Sequence, residues 1–366
     1  MKVLIVSGIW PPDVGGPASH GPEVAEYLLR HGHEPRVLVT ADAPPSPERY
    51  PVDWVPRSLP PGVRHLRALG RIASLGRRAD VVYTTGMFGR SGAGALLART
   101  PFVLKLTADP AFERARRRGL HEGSIAEFQE ARTVTTMPLR IARDQIARRA
   151  AHIVCPSAYL RELAIGWGVH ADRVDVLPNP APDVSAVGDR AELRSRWELD
   201  GPTLVFVGRL TAQKSLHLAI AAAASAGVAL VIAGDGPDRK ELEQLGHARF
   251  VGPLPRSEAL GLLRAADASI LSSGWENFPH AVVESLAVGT PVIATAAGGV
   301  AEVVEDDRNG LLVQPGDLDG LTAAVRRAFT EPGLLDRLRL SASASVASYA
   351  PERVYGQLLQ ILERAA

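Results

Sequence analysis

TLVFVGRLTAQKSLHLAIAAAASAGVALVIAGDGP, residues 203–237, decides the fold. From Ser215 to Gly234 it holds no Asp, Glu, Lys or Arg for 20 residues, which meets the length rule for a transmembrane helix. The stretch is mostly alanine, however. It contains His217, and Gly227 divides it. The reading that respects these features is a strand (TLVFV), a loop, a buried helix (SLHLAIAAAASA) and a second strand (VALVIAG). Continuous apolar strands joined by a helix make a parallel unit covered on both faces.

The same alternation runs outward along the chain. Apolar, β-branched runs at 3–7, 36–40, 81–84, 102–106, 153–156 and 174–177 form one series. Runs at 203–207, 229–233, 250–251, 268–271, 291–294 and 310–313 form a second. Helix-length segments separate most of them. The expected fold is α/β, with two Rossmann-like, doubly wound parallel-sheet domains. Residues 1–180 form the first and 181–350 the second. The join falls in 178–202, which carries Pro178, Pro180, Pro182 and Pro202. A chain of 366 residues accommodates two domains at about 150 residues each.

The 41 basic and 40 acidic residues leave a net charge of +1, without the basic excess of a general nucleic-acid binder. The balance conceals a split: 1–180 carries +7 and 181–366 carries −6. Hydrophobic residues at 46% and charged residues at 22% exclude wholesale disorder. Cys155 is the one cysteine, so neither an intrachain disulfide nor a Cys-based zinc cluster can form. The N-terminus reads as a first strand rather than a signal peptide, and the expected setting is cytoplasmic. Only Lys2, Lys105, Lys214 and Lys240 are lysines; the other 37 cations are arginines.

In open α/β sheets ligands bind beyond the C-terminal strand ends, and the distinctive residues follow strands. After the first strand comes Trp10-Pro11-Pro12-Asp13-Val14-Gly15-Gly16-Pro17. Its glycine pair before a helix suits either an anion or an ordinary turn. Gly208-Arg209-Leu210-Thr211-Ala212-Gln213-Lys214-Ser215 nearly matches a phosphate loop. Gln213 replaces the second glycine that such a cradle needs. Arg209 and Lys214 are left to neutralise a diphosphate, or to serve as surface cations. Gly234-Asp235-Gly236-Pro237 and Val251-Gly252-Pro253-Leu254 follow two further strands. The strongest constellation is Ser272-Ser273-Gly274-Trp275-Glu276-Asn277-Phe278-Pro279-His280-Ala281-Val282-Val283-Glu284. Here two carboxylates flank the N-terminus of a helix, whose free N–H groups face an anion.

With these motifs the chain resembles the retaining glycosyltransferases of family 4, with the GT-B architecture. The likeness covers nearly the whole chain and rests on 11–16, 208–214, 234–237, 251–253, the E-x7-E spacing of Glu276 and Glu284, and Gly298-Gly299. It implies that the two domains face each other across a cleft. It implies an N-terminal acceptor domain, a C-terminal donor domain, and a last helix (351–366) returning to the first. Arg209 and Lys214 are expected on the donor diphosphate, Glu276 near the donor sugar and Glu284 on the ribose hydroxyls. Gly252, Leu254, Asn277, Phe278, Pro279 and His280 are expected around the donor, with Gly15 and Gly16 closing on it. One departure stands out: Ala108 falls where many members carry a histidine. Asp109, with Glu113, is the nearest polar candidate for that catalytic position; its other reading is a helix N-cap.

The implied reaction moves a sugar from a nucleotide-diphosphate donor to an acceptor hydroxyl with retained configuration. Neither metal nor other cofactor is expected; Asp317-Leu318-Asp319 matches a metal motif formally but suits a helix cap. Arg64, Arg67, Arg71 and Arg78 fall on one helical face, and Arg114, Arg116, Arg117 and Arg118 cluster nearby. That face is expected either to be plainly solvated or to touch an anionic acceptor or the inner membrane surface. A nucleotide-sugar epimerase and a non-catalytic nucleotide-sugar binder are the competing readings.

Overall fold

The computed structural model describes every residue except Val14, Gly15 and Arg132, and the side chains of residues 16–18 also lie outside the description. The expected contribution of Gly15 therefore falls outside the described residues. Two compact units emerge: Met1–Leu177 with Tyr355–Ala366, and Pro178–Val354.

The first unit contains β1 (Lys2–Ser7), α1 (Gly16–Arg30), β2 (Glu34–Ala41), β3 (Val52–Pro56), α2 (Pro61–Gly76), β4 (Val81–Thr84), α3 (Phe88–Ala98) and β5 (Phe102–Lys105). It continues through α4 (Pro110–Arg117), α5 (Ile125–Glu130), α6 (Met137–Ala147), β6 (His152–Cys155), α7 (Ala158–Gly166) and β7 (Val174–Val176). The second contains α8 (Arg190–Arg196), β8 (Thr203–Val207), α9 (Leu216–Ala226), β9 (Ala229–Ala233), α10 (Arg239–Gln244), β10 (Arg249–Gly252) and α11 (Arg256–Ala265). After these come β11 (Ala268–Leu271), α12 (His280–Ala287), β12 (Val292–Thr295), β13 (Gly310–Val313), α13 (Leu318–Thr330) and α14 (Leu334–Ser345). Helix α15 (Pro351–Ala365) ends the chain.

Strand order is β3-β2-β1-β4-β5-β6-β7 in one sheet and β10-β9-β8-β11-β12-β13 in the other. The pairings are parallel throughout. Each sheet is thus doubly wound, and its order reverses at β1/β4 or at β8/β11. The uncharged stretch resolves as expected. Helix α9 is 11 residues, about 16 Å at 1.5 Å per residue, well short of a bilayer. Its alanines are small enough to let it pack closely against α13, and Ala219, Ile220, Ala222 and Ala223 are buried. Gly227, at φ 69°, ends it by returning its N–H to the last turn. Among the described residues, no helix is long and apolar enough to cross a membrane.

Two elements depart from expectation. Strand β3 was not anticipated: prolines bound it, Asp53 interrupts its apolar run, and among the described residues it pairs only with β2, at the sheet edge. The proline-bearing join holds α8, capped by Asp189, whose Arg190 and Arg194 both reach Asp267. In α15, Tyr355 donates to Glu23 and Arg364 reaches Asp175 at 3.1 Å. Tyr355, Leu358, Ile361 and Leu362 are buried.

Candidate active site

Ligands of doubly wound sheets bind where the strand order reverses. In the second unit that point lies between β8 and β11, and the loops after these two strands are clasped together. The Gln213 side-chain amide donates to Trp275 O at 2.8 Å, and Gly274 N donates to Gln213 O at 2.9 Å. Ser272 Oγ donates to Lys214 O at 2.8 Å. Gln213, which spoils a phosphate loop, therefore acts as the tie between the two loops.

The clasp brings Lys214 onto Glu276. Lys214 Nζ donates to Glu276 Oε1, and Ser273 Oγ donates to the same oxygen at 2.6 Å. The Glu276 side chain is 6% exposed and that of Lys214 19%. A buried carboxylate must be paired to remain charged, and here it has an ammonium and a hydroxyl. Arg209 lies exposed at the start of the same loop and has no carboxylate partner among the described residues. The loop therefore offers a net positive charge to an incoming anion.

Glycines permit this closeness at two positions. A Cβ on Gly298, at φ 54°, would stand 1.9 Å from Glu276 O, and one on Gly234 1.8 Å from Gly208 O. Gly299 N donates to Glu276 O at 3.3 Å, so the loop after β12 also supports Glu276.

Helix α12 starts at His280. Phe278 is a core side chain, set edge-on to His280 at 5.6 Å. His280 Nε2 pairs with Asn179 Nδ2 at 3.1 Å. Phe278 and Pro279 are both buried and Asn277 is partly exposed, so Phe278 and Pro279 can present backbone rather than side chain to a ligand. One turn on, Glu284 accepts from Arg256 Nε at 3.2 Å. Burial raises the Glu284 carboxyl above its ordinary value, and Arg256 opposes the rise. Gly252, at φ 77°, ends β10 and accepts from Gly234 N at 2.8 Å. Leu254 packs partly buried on the core.

In the first unit, Gly16 opens α1. Asp109 needs correction. Its residue exposure is 1%, and its oxygens are fully engaged. Oδ1 caps α4 by accepting from Ala111 N and Phe112 N at 2.8 and 3.2 Å. Oδ2 accepts from Gln129 Nε2 at 2.8 Å and Arg143 Nη1 at 2.5 Å. A carboxylate so enclosed is an N-cap and a buried ion-pair partner, not a catalytic group. Glu113 sits in the first turn of the helix that Asp109 caps. The arginine face of α2 is also divided: Arg71 pairs with Asp53, while Arg64 donates to Arg57 O at 2.8 Å. Asp317 caps α13 through Gly320 N at 2.8 Å. No cluster among the described residues has the His, Cys, Asp and Glu content to hold a metal.

Comparison with known proteins places this geometry. Residues 15–180 match the glycosyl transferase 4-like domain, and residues 189–344 match glycosyl transferases group 1. The chain is 31% identical to a GDP-mannose-dependent alpha-mannosyltransferase of Mycobacterium tuberculosis, over 87% of this chain and 85% of that protein. The chain belongs to the family 4 glycosyltransferases. This glycosyltransferase is also 28% identical to a glycogen synthase of Mycobacterium tuberculosis, over 92% of its own length and 88% of the relative's. Its fold matches that of Anabaena HepE, solved with UDP-glucose, with TM-score 0.78 and 20% identity over 99% of each chain. The two-domain GT-B class expected from the motifs is the class of these neighbours.

Proposed function

We propose that this enzyme transfers a sugar from a nucleoside-diphosphate sugar to an acceptor hydroxyl, retaining the anomeric configuration and using no bound metal. The observation that carries the reading is the Lys214–Glu276–Ser273 cluster beside Arg209, at the point where the sheet order reverses. As the sugar–oxygen bond breaks, positive charge grows on the sugar and negative charge on the diphosphate. Arg209, the remaining protons of Lys214 and the start of α12 oppose the negative part, and such preorganised stabilisation is usually the largest catalytic contribution. Glu276 is already neutralised by Lys214 and Ser273, which weakens it as a covalent nucleophile. Front-face attack fits better. The acceptor oxygen bonds the anomeric carbon on the face from which the phosphate oxygen departs, and that departing oxygen takes the hydroxyl proton. GDP-mannose as donor of the mannosyltransferase and the UDP-glucose bound to HepE support a nucleotide-sugar donor. An epimerase would need acid–base groups around the sugar that this cluster does not offer.

A thermal-shift screen against UDP, GDP, ADP and dTDP tests the donor site. At 100 times Kd a ligand adds about 2.7 kcal/mol, roughly 5–10 °C for a domain of this size. No shift with any of the four overturns the reading. Product anomers seen by NMR check retention.

Glu284 is the proposed ribose ligand, and its ionised form, with both oxygens able to accept, holds two hydroxyls better than the protonated form. Its carboxyl lies above the ordinary value of 4.5, raised by burial against the pull of Arg256. Arg256→Met removes that pull and moves the titration further up. Nucleotide affinity in this variant is then expected to fall at a higher pH than in the parent, with the two converging once both are ionised. Isothermal titration across acidic to neutral pH checks this; superimposable profiles would remove Arg256 from the role.

A further inference from the structure

In the first unit, α2, α3 and α4 begin just beyond the C-terminal ends of β3, β4 and β5. Arg64, His65 and Arg90 stand near the N-terminal ends of α2 and α3, and Arg114 lies in the last turn of the short α4. Arg90 Nη1 and His65 Nδ1 are 2.9 Å apart. Burial lowers the pKa of both, and the charges acting on His65 (Arg90, Arg64, Arg114) and on Arg90 (Arg64, Arg114) are all positive. Among the described residues, none of His65, Arg90 and Arg114 has a carboxylate partner. The neighbouring Arg57 shows the contrast, since Asp13 and Asp42 both pair with it.

Like charges held together without a counter-ion destabilise the fold, and they are relieved when an anion binds. Arginine forks match the oxygens of a phosphate, and helix starts favour the same charge. We propose that Arg64, His65, Arg90 and Arg114 form a binding site for a phosphate group. That the phosphate belongs to the sugar acceptor rests on the transferase reading above; that the site binds phosphate does not.

Two sources share this chemistry: a soluble phosphomonoester and a phospholipid headgroup. On the same helix Val63 and Leu66 are 52% and 71% exposed beside Arg67, an apolar and basic edge suited to a bilayer. The test uses glycerol 3-phosphate, with glycerol as control, and vesicles of phosphatidylglycerol mixed with phosphatidylcholine. Saturable binding of glycerol 3-phosphate, weakened at least tenfold by Arg90→Gln with Arg114→Gln, supports the site and assigns it a soluble ligand. Vesicle binding lost in the same variant, without binding of glycerol 3-phosphate, supports the site and assigns it a headgroup. Failure of both probes to bind, or binding unchanged by the double substitution, overturns the proposal. Arg90→Lys with Arg114→Lys, which keeps the charge, should retain most of the binding, and this separates lost contacts from misfolding. Nucleoside-diphosphate binding belongs to the other unit and is expected to be unchanged, so failure here is distinct from failure of the donor site.

Discussion

Lys214→Ala is expected to lower kcat about 10²-fold or more, the scale set by losing one donor to developing negative charge, about 2.7–4 kcal/mol. The structure adds a second consequence. Lys214 donates to the largely buried Glu276, whose remaining partner on that oxygen is Ser273. Removing one member of a buried pair costs about 3–5 kcal/mol. The partial exposure of the Lys214 side chain puts this case at or below the lower end. Two readouts separate the effects. Urea unfolding measures the orphaned carboxylate, and turnover at saturating donor measures the lost charge. Lys214→Met combined with Glu276→Gln removes both charges, so stability should recover while kcat stays low. If activity of Lys214→Ala remains within about threefold of the parent, Lys214 does not stabilise the leaving group.

How much of this site the sequence displayed follows from the range of each interaction. Lys214 and Glu276 were each legible, because each follows an apolar run by a few residues and its neighbours belong to a compact motif. Their bond was not legible, since 62 positions separate them and only the adjacency of β8 and β11 closes the gap. Gln213 looked like a defect in a phosphate loop; its amide is a tie to Trp275, a role that exists only once both loops are placed. Strand β3 escaped because edge strands tolerate the prolines and charge that argue against a central strand. The arginines of α2 looked like one face because helical periodicity sorts positions by angle alone. Asp53 lies on the neighbouring strand and takes Arg71, while His65, off that arginine series, joins Arg90 from another helix.

Asp109 shows the same limit and yields the second large effect. Its cap on α4 was legible from the following Pro110; the buried partner 34 residues on was not. Arg143 sits 3% exposed, donates to Asp109 and Asp144, and lies over the Trp167 ring at 4.2 Å. Trp167 donates to Gln129 Oε1 at 3.2 Å, and Gln129 donates to Asp109, so the four side chains close a ring. Arg143→Met leaves a buried carboxylate without its cation, at a cost of about 3–5 kcal/mol. For a domain of this size that is a fall in melting temperature of roughly 6–20 °C. Asp109→Asn preserves the capping oxygen, and pairing it with Arg143→Met removes both charges, so the double variant should melt above Arg143→Met alone. The catalytic view makes a different demand: were Asp109 a catalytic group, Asp109→Asn would abolish turnover per folded molecule, whatever it did to melting. Turnover per folded molecule near the parent value, with a lowered melting temperature, places Asp109 in the scaffold that carries the first unit and outside the chemistry.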